Sequence, residues 1–372
     1  MSDRTGAIPR QLLRDMCEAG YIKNASPECL QPSSLDLTLS TECYRMRGSY
    51  LPRPHETIHD IISHGALYKH NLENPLEVNG TYLITLNESL ALPQGLHALA
   101  SSKSSTGRIN LRTRLLADGV ARFDSLPAGY RGELWIEIIP KSFPVRLHPA
   151  DRLNQLRLFY GDAQLSSLEH TLLYDKYGLL RDTHGMRIPA TPEIVGRGIT
   201  LTIDLSSEEI IGYRARPTPN AILNTAQYNH NAKDFFEPVA KPHDGELVLQ
   251  HGSFYILATK EKIIIPPMHA AEMAAYDSTK GEFRSHFAGF FDPGFGLATI
   301  EQEKGWVAVL EIATHDHDFI LRDAQPICLM TYERMVAKPD ILYGADLQSN
   351  YTGQSGPRLA KWFDWGQAPR CG

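Results

Sequence analysis

Residues 101–137 read SSKSSTGRINLRTRLLADGVARFDSLPAGYRGELWIE and carry a polar cluster at each end. The first cluster, residues 103–108, holds two cations and three hydroxyls around one glycine. Lysine supplies a point charge, arginine supplies a planar fork of donors, and small residues let backbone N–H groups approach phosphate oxygens. This composition predicts a site for a phosphate chain.

The second cluster combines an acidic turn at residues 123–132 with an alternating run at residues 133–139. The alternation predicts a strand with Leu134, Ile136 and Ile138 on one face and Glu133, Trp135 and Glu137 on the other. A carboxylate in a largely apolar strand needs a partner or a chemical task. Glu137 is therefore a candidate functional carboxylate, and the alternative is a solvated glutamate on the outer face.

The spacing of the two clusters resembles the dUTPase/dCTP deaminase superfamily, trimeric β-barrel enzymes that act on pyrimidine deoxynucleoside triphosphates. Lys103 stands where that family's phosphate motif begins with arginine, and Arg108 matches the arginine that ends it. Asp124 and Tyr130 match an I-D-x-G-[WY]-x-G turn, although extra residues separate them here. The following run, residues 130–133, is more similar to the dUTPase branch, whereas Glu137 falls on the catalytic glutamate of the deaminase branch.

This resemblance implies hydrolytic deamination of dCTP to dUTP and ammonia, in the supply of dUMP and dTTP. It implies that Glu137 acts as general base and then general acid, while Ser104 holds the attacking water. Burial would raise the pKa of such a carboxyl group and make proton return feasible. The implied substrate-binding residues of this region are Lys103, Ser105, Thr106, Arg108, Asp124, Tyr130 and Trp135, with packing as the alternative role for Trp135.

The sequence predicts no protein-bound metal. Zinc-dependent cytidine deaminases use an H-x-E element and a P-C-x-x-C element, and neither string occurs in this chain. We therefore expect deamination without zinc. Mg²⁺ is expected to accompany the triphosphate, held by phosphate oxygens and water.

Composition restricts the class of protein. The chain has 372 residues, of which 42% are hydrophobic and 22% are charged, as in globular domains. A net charge of −6 argues against binding to a nucleic acid polymer or an acidic membrane, and no stretch resembles a signal peptide or membrane span. Five scattered cysteines indicate reduced thiols, so we expect a cytoplasmic protein.

Short alternating segments separated by Pro- and Gly-containing turns predict an all-β fold with a few short helices. Such segments cover residues 30–46, 81–101 and 143–160, whereas residues 7–20 have helical spacing. With the resemblance, the prediction becomes two tandem dUTPase-like distorted β-barrels of the β-clip type. Four irregularly spaced histidines within residues 47–80 are interpreted as part of a surface loop rather than a metal site.

An internal repeat predicts the two copies. Residues 309–332 align without gaps on 135–158, which places Glu311 on Glu137 at an offset of 174. Residues 201–208 align on 35–42, so that Thr202 stands at Asp36, the acidic residue of the family's first strand. The predicted domains are residues 1–165, with the catalytic motifs, and residues 195–372, joined by a linker at 166–194.

The second copy has lost the phosphate cluster but carries a different motif. Its residues 276–282 include Asp277 and Glu282, whose charges would repel a triphosphate; Lys280 and Arg284 are the alternative ligands. Residues 343–358 resemble the family's closing segment, and the matching positions are Tyr343, Asn350 and Gln354. The hypothesis is one composite site, with chemistry from the first barrel and a lid from the second.

Two other functions stay open at this point. A dUTPase, or a bifunctional enzyme that continues to dUMP, would use Asp124 to activate water at the α-phosphate. A nucleotide sensor without catalysis is the third reading. The resemblance also implies a homo-oligomer, a trimer or a multiple, and dTTP as a candidate feedback inhibitor.

Overall fold

The computed structural model describes residues 5–217, 221–274, 283–286, 289–299, 302–314, 317–344, 346–347 and 351–364. Strands dominate these ranges and helices are few and short, which confirms the predicted all-β class. The chain forms two successive β-rich units, each with its own sheets and core.

The first unit contains α1 (Arg10–Glu18), α2 (Ile58–Gly65) and α3 (Ser104–Gly107), with a 3₁₀ turn at Pro27–Cys29. Its strands are β1 (Gly6–Ala7), β2 (Ile22–Lys23), β3 (Leu35–Met46), β4 (Ala66–Lys69), β5 (Thr81–Ala91), β6 (Leu96–Ser102), β7 (Leu111–Leu116), β8 (Ser125–Leu126), β9 (Arg131–Pro140), β10 (Val145–Arg146) and β11 (Arg152–Tyr160).

The second unit contains α4 (Ser167–Tyr177) and a 3₁₀ turn at Ala232–Asp234. Its strands are β12 (Leu180–Arg181), β13 (Ile199–Thr202), β14 (Ile210–Ala215), β15 (Leu223–Asn224), β16 (His230–Asn231), β17 (Phe236–Ala240), β18 (Glu246–Leu249), β19 (Phe254–Ile263), β20 (His269–Ala274), β21 (Phe283–His286), β22 (Phe290–Phe291), β23 (Leu297–Thr299), β24 (Gln302–Glu303), β25 (Trp306–Thr314), β26 (Phe319–Arg322), β27 (Pro326–Arg334) and β28 (Phe363–Asp364).

Hydrophobic alternation builds the main sheet of the first unit. Its strand order is β7-β9-β5-β3-β11-β6-β8, and all of these neighbours are antiparallel. Leu35, Leu37 and Leu39 of β3 point into the core and are fully buried, as the period of two requires. In the second unit the strands order as β17-β14-β19-β25-β21 and β13-β27-β20-β22.

A matching pair of buried contacts shows how the two units correspond. Glu88 accepts hydrogen bonds from the backbone N–H and hydroxyl of Thr38, at 2.9 and 2.6 Å. Glu261 accepts the same two bonds from Thr202, at 2.8 and 2.6 Å. Thr202 is therefore the counterpart of Thr38.

This correspondence corrects the predicted alignment of residues 201–208 by two positions. Asp36 pairs with Gln155 across the sheet, and Thr200 pairs with Leu329, which lies 174 residues after Gln155. Thr200, not Thr202, occupies the place of Asp36. A slip of two residues preserves the inward and outward faces of a strand, so the sequence pattern alone could not detect it.

The segment predicted as a linker, residues 166–194, is part of the second unit. Leu173 and Tyr174 of α4 are buried in the second core, and β12 pairs with β19. The first core in turn continues into the second unit through Phe235 and Trp362. The two units therefore share a packed apolar boundary rather than a flexible connection.

Other whole-chain features concern membranes and thiols. Within the described ranges, no helix has the length and apolar character needed to cross a membrane. Cys17, Cys29, Cys43 and Cys328 are free thiols. Among the described histidines of residues 47–80, His70 lies against the ring of Tyr82 and His59 against Trp135.

We predict that Thr38→Val and Thr202→Val destabilise the fold to a similar extent. Each removes one hydrogen bond to a carboxylate that is buried in Glu88 and half-buried in Glu261, which typically costs about 1–3 kcal/mol of unfolding free energy. Urea unfolding followed by circular dichroism measures the loss, with the exposed Thr183→Val as control. A loss confined to one of the two variants would contradict the equivalence of the two contacts.

Candidate active site

A pocket lies on the boundary between the two units and takes its walls from both. The first unit contributes polar residues. The second contributes apolar and aromatic residues and the strand that carries Glu311. The lining residues are Gln31, Lys103, Ser104, Ser105, Arg108 and Gln155 from the first unit, and Gly289, Phe290, Phe291, Asp292, Phe295, Val307, Ala308, Val309, Glu311, Tyr343, Tyr351 and Gln354 from the second.

The predicted phosphate cluster forms the first wall, at the turn of α3 between β6 and β7. The Lys103 ammonium lies 2.5 Å from Asp36, so a buried carboxylate holds its side chain in place. Ser105 exchanges a hydrogen bond of 2.6 Å with the Tyr351 hydroxyl. Thr106 was predicted to bind substrate, but it is fully buried and donates to the Leu153 carbonyl at 2.8 Å. The structure therefore gives Thr106 a supporting position outside the pocket lining.

Arg108 links the first unit to the second. Its guanidinium stacks 3.7 Å from the centre of the Tyr351 ring and donates to the Arg358 carbonyl at 2.9 Å. Its Nε lies 4.0 Å from a Glu311 oxygen. Burial lowers the pKa of Arg108, while nearby Tyr351 and Glu311 oppose that shift. Because Arg108 is buried against Tyr351 and Arg358, it holds these residues of the second unit in place.

Glu311 is one of two carboxylates that line the pocket, the other being Asp292. It lies on β25, is 1% exposed, and its Oε2 has no hydrogen-bond partner among the described residues. Burial raises the pKa of Glu311 to about 8, and the charge of Arg108 opposes that rise. A carboxyl group with a pKa near neutrality can both accept and return a proton.

Gly107 allows this close approach between the units. A side chain at this position would place its Cβ 3.1 Å from the Glu311 carboxyl carbon. The glycine of the phosphate cluster thus makes room for the carboxylate of the other unit.

The turn at residues 290–295 and the closing segment complete the second wall. Asp292 accepts a hydrogen bond of 2.5 Å from the Ser33 hydroxyl of the first unit. Gln354 donates to the Val307 carbonyl at 3.0 Å, and the ring of Tyr343 lies 5.7 Å from that of Phe295. Tyr343 and Gln354, two of the predicted lid residues, therefore line the pocket, whereas Asn350 lies outside the described residues.

Glu137 does not share this pocket, which corrects the prediction that it acts beside Lys103 and Ser104. It is 2% exposed and lies in a separate small cavity of the first unit. Burial raises its pKa, while Ser49, Arg112 and Arg114 oppose the rise.

The first unit itself fills the space in front of Glu137. The residues around this carboxylate are Met46, Gly48, Tyr50, Ile58, Ile61, Leu83 and Leu116, several of them from α2 and the segment before it. In the described part of the chain, these residues leave only a small cavity beside Glu137.

The other three predicted contacts of that half also lie away from the pocket. Asp124 is bound to Arg114 at 2.6 Å and to the Leu115 N–H at 2.7 Å. The Tyr130 hydroxyl donates to the Glu133 carbonyl at 2.7 Å, and Trp135 is 1% exposed. All three have structural contacts in the first unit instead of lining the pocket.

Sequence reasoning missed Glu311 and the turn residues Phe290 and Asp292 as site residues. The signals were present in the sequence, because the repeat placed Glu311 on Glu137 and residues 291–295 read FDPGF, which is close to the I-D-x-G-[WY] turn. The second unit's predicted counterpart of the phosphate cluster, residues 276–282, and the side chain of Arg284 lie outside what the structure describes.

Comparison with known proteins agrees with this architecture. The family model described as the 2′-deoxycytidine 5′-triphosphate deaminase N-terminal domain matches residues 4–162, and that of the C-terminal domain matches residues 175–363. The crystal structure of 2′-deoxycytidine 5′-triphosphate deaminase from Agrobacterium tumefaciens is 36% identical, with a TM-score of 0.82. The match covers 89% of this chain and 99% of that one.

Two curated relatives match over a shorter stretch. A dCTP deaminase of Haloarcula marismortui is 29% identical over 131 residues, which is 34% of this chain and 63% of the relative. A protein of Methanococcus maripaludis named "dCTP deaminase, dUMP-forming" is 30% identical over 124 residues, 33% of this chain and 56% of the relative. The chain thus spans less than two thirds of the length of these relatives.

The two family models together account for nearly all of the two units, and the solved structure extends across both. This chain therefore belongs to the 2′-deoxycytidine 5′-triphosphate deaminase family, in the form that carries the N-terminal and C-terminal domains in one polypeptide.

Proposed function

We propose that the chain catalyses the hydrolytic deamination of dCTP in the pocket between its two units, with Glu311 as general base and acid. The observation that carries this proposal is the buried Glu311 carboxylate facing the phosphate cluster of the other unit. Family membership supports dCTP as the substrate, and the geometry of the pocket supports the roles proposed for its residues.

Glu311 can carry the protons of this reaction. In its ionised form it takes a proton from water, whose oxygen bonds to C4 of cytosine, and it delivers that proton to N3. Glu311 next takes the proton of the new C4 hydroxyl and passes it to the amino group, so the C4–N bond breaks, ammonia leaves and the uracil carbonyl forms. Ser104 faces the same pocket and would hold the attacking water and its developing oxyanion.

Charge and shape orient the nucleotide. Lys103, whose side chain is 26% exposed, would meet the triphosphate, whereas Arg108 is committed to Tyr351 and the vicinity of Glu311. The aromatic wall at residues 290–295 would cover the sugar and base. Mg²⁺ would arrive with the triphosphate, since the phosphate cluster offers cations and hydroxyls rather than carboxylate ligands.

A second candidate function is continuation to dUMP. It is favoured by the name of the Methanococcus maripaludis relative. Such a step needs a carboxylate near the α-phosphate, and Asp124 is bound to Arg114 outside the pocket. Asp292 would take that place, and product analysis distinguishes dUTP from dUMP and pyrophosphate.

Two further expectations follow from family membership. We propose that dTTP competes for the same pocket, because its triphosphate would meet the same cations. We also propose that the chain assembles as a homo-oligomer, which sedimentation analysis would measure.

We predict that Glu311→Gln abolishes ammonia release from dCTP while Glu137→Gln preserves it. The amide cannot accept the proton of water, so turnover should fall about 100-fold or more. Ammonia and nucleotide products are measured with dCTP and Mg²⁺, beside circular dichroism of each variant. The reverse pattern, with Glu137→Gln inactive and Glu311→Gln active, would contradict the proposal and assign catalysis to Glu137 of the first unit.

The pH profile provides an independent check on the same group. Because the pKa of Glu311 is raised to about 8, the carboxyl is protonated and unable to act as base below that pH. We expect kcat/KM for dCTP to rise about tenfold per pH unit up to about pH 8 and then level off. Glu137→Gln should keep this profile, whereas a plateau extending down to pH 5 would exclude a carboxyl of raised pKa as the base.

Gly107→Ala tests the close approach of the two units. The new Cβ would push the Glu311 carboxylate by a few tenths of an ångström, and small displacements of reacting groups are costly. We expect kcat/KM to fall about tenfold or more with little change in stability, since alanine suits a helical turn. Gly196→Ala, where nothing lies within 4 Å of the added carbon, is the matched control and should retain full activity.

A further inference from the structure

A buried arginine behind the pocket joins the first unit to the turn that forms the pocket's second wall. Arg157 of β11 is fully buried and lies 4.1 Å from the centre of the Phe290 ring. Its guanidinium lies 3.7 Å from a carboxylate oxygen of Asp292. Phe290 and Asp292 both line the pocket, whereas Arg157 does not.

All five N–H donors of this guanidinium have acceptors within reach. Nη1 donates to Glu333 at 2.7 Å and to the Ala271 carbonyl at 3.3 Å. Nη2 donates to the Ser33 hydroxyl at 2.9 Å and to the Phe291 carbonyl at 3.2 Å, and Nε donates to the Ser33 carbonyl at 3.3 Å. A guanidinium has five such donors in a fixed planar fork. Because all five donors are bonded, the guanidinium of Arg157 holds the turn of residues 290–292 at one position relative to β11.

The charges of this cluster have no counterpart in the other copy of the repeat. At the offset of 174, Arg157 corresponds to Thr331 and Phe159 corresponds to Glu333. The strand pairing places Glu272 opposite Thr331, where the first unit has Leu99 opposite Arg157. The arginine and the two glutamates therefore occur only where the units meet.

The cluster holds more acid than base. Burial and, to a smaller extent, the charge of nearby Glu333 raise the pKa of Glu272 to about 7, and the charge of Arg157 opposes both effects. Burial also raises the pKa of Asp292, against the effect of Arg157. Arg157 is thus a cation that acts on both carboxyl groups beside the pocket, and Lys103 also acts on Asp292.

We propose that Arg157 is a positioning residue for the nucleoside half of the substrate. By fixing residues 290–292 against Ser33, it holds the aromatic wall and Asp292 where the sugar and base would lie. It does not touch the phosphate half, which depends on Lys103. This inference rests on the proposed function for the identity of the ligand, a pyrimidine deoxynucleoside triphosphate.

The test compares two ligands that share phosphates but differ in the nucleoside. Calorimetry measures the Kd of dCTP with Mg²⁺ and the Kd of inorganic tripolyphosphate, for Arg157→Lys and its parent. A Glu311→Gln background prevents turnover of dCTP during titration. Lysine keeps the charge but loses the fork, so we expect about tenfold weaker dCTP binding and tripolyphosphate binding within about twofold of the parent.

Controls separate positioning from loss of structure. Arg181→Lys changes another buried arginine, away from the pocket, and should alter neither Kd. Ser33→Ala removes one acceptor of Arg157 and the donor to Asp292 without removing a charge. It should weaken dCTP selectively, by about threefold or more, even where Arg157→Lys fails to fold.

The outcomes are distinct. Equal weakening of both ligands, or no weakening of dCTP in either variant, would overturn the positioning role. Absence of ammonia release from the unmodified chain would overturn the proposed reaction alone, because selective weakening of dCTP would still support the role of Arg157. A chain that binds tripolyphosphate but not dCTP would refute both.

Discussion

The contact between Arg108 of the first unit and Glu311 of the second is the constraint on which the site depends. The first unit supplies Arg108 and Gly107 at the boundary between the units. The second unit supplies the buried carboxylate of Glu311, which packs against them. Among the described residues, the phosphate cluster belongs to the first unit and the pocket's two carboxylates, Asp292 and Glu311, belong to the second. The pocket therefore exists only where the two units pack together, with the phosphate cluster of one unit against the Glu311 strand of the other.

The two copies differ in complementary ways. The first copy keeps the phosphate cluster and fills the space before Glu137 with Tyr50 and residues of α2. The second keeps the carboxylate, the turn and the closing segment. Arg157, Glu272 and Glu333 belong to the same divergence, since these charges stand only at the boundary. A buried ion pair is weak evidence for added stability, but it can specify one arrangement of its partners.

The fold and part of the site were predictable from local pattern. Alternation predicted the strands, the internal repeat predicted two units, and Lys103, Ser104, Ser105, Arg108, Tyr343 and Gln354 all line the pocket. The choice between Glu137 and Glu311 was not predictable in the same way. Both glutamates occupy equivalent positions in equivalent strands, and both are buried. The two-residue error in the alignment of Thr202 was equally hidden from the sequence, because a shift of two residues leaves the alternation of a strand unchanged.

By itself the sequence determined the strand pattern, the duplication and the chemical types of the site residues, since these follow from side-chain periodicity and motif spacing. Only the tertiary structure decided which carboxylate faces which phosphate cluster. That choice depends on contacts between residues about 200 positions apart in the chain, such as Arg108 with Glu311, and on α2 occupying the alternative site. The local sequence pattern does not show which of two similar surfaces, one in each unit, packs against the other unit.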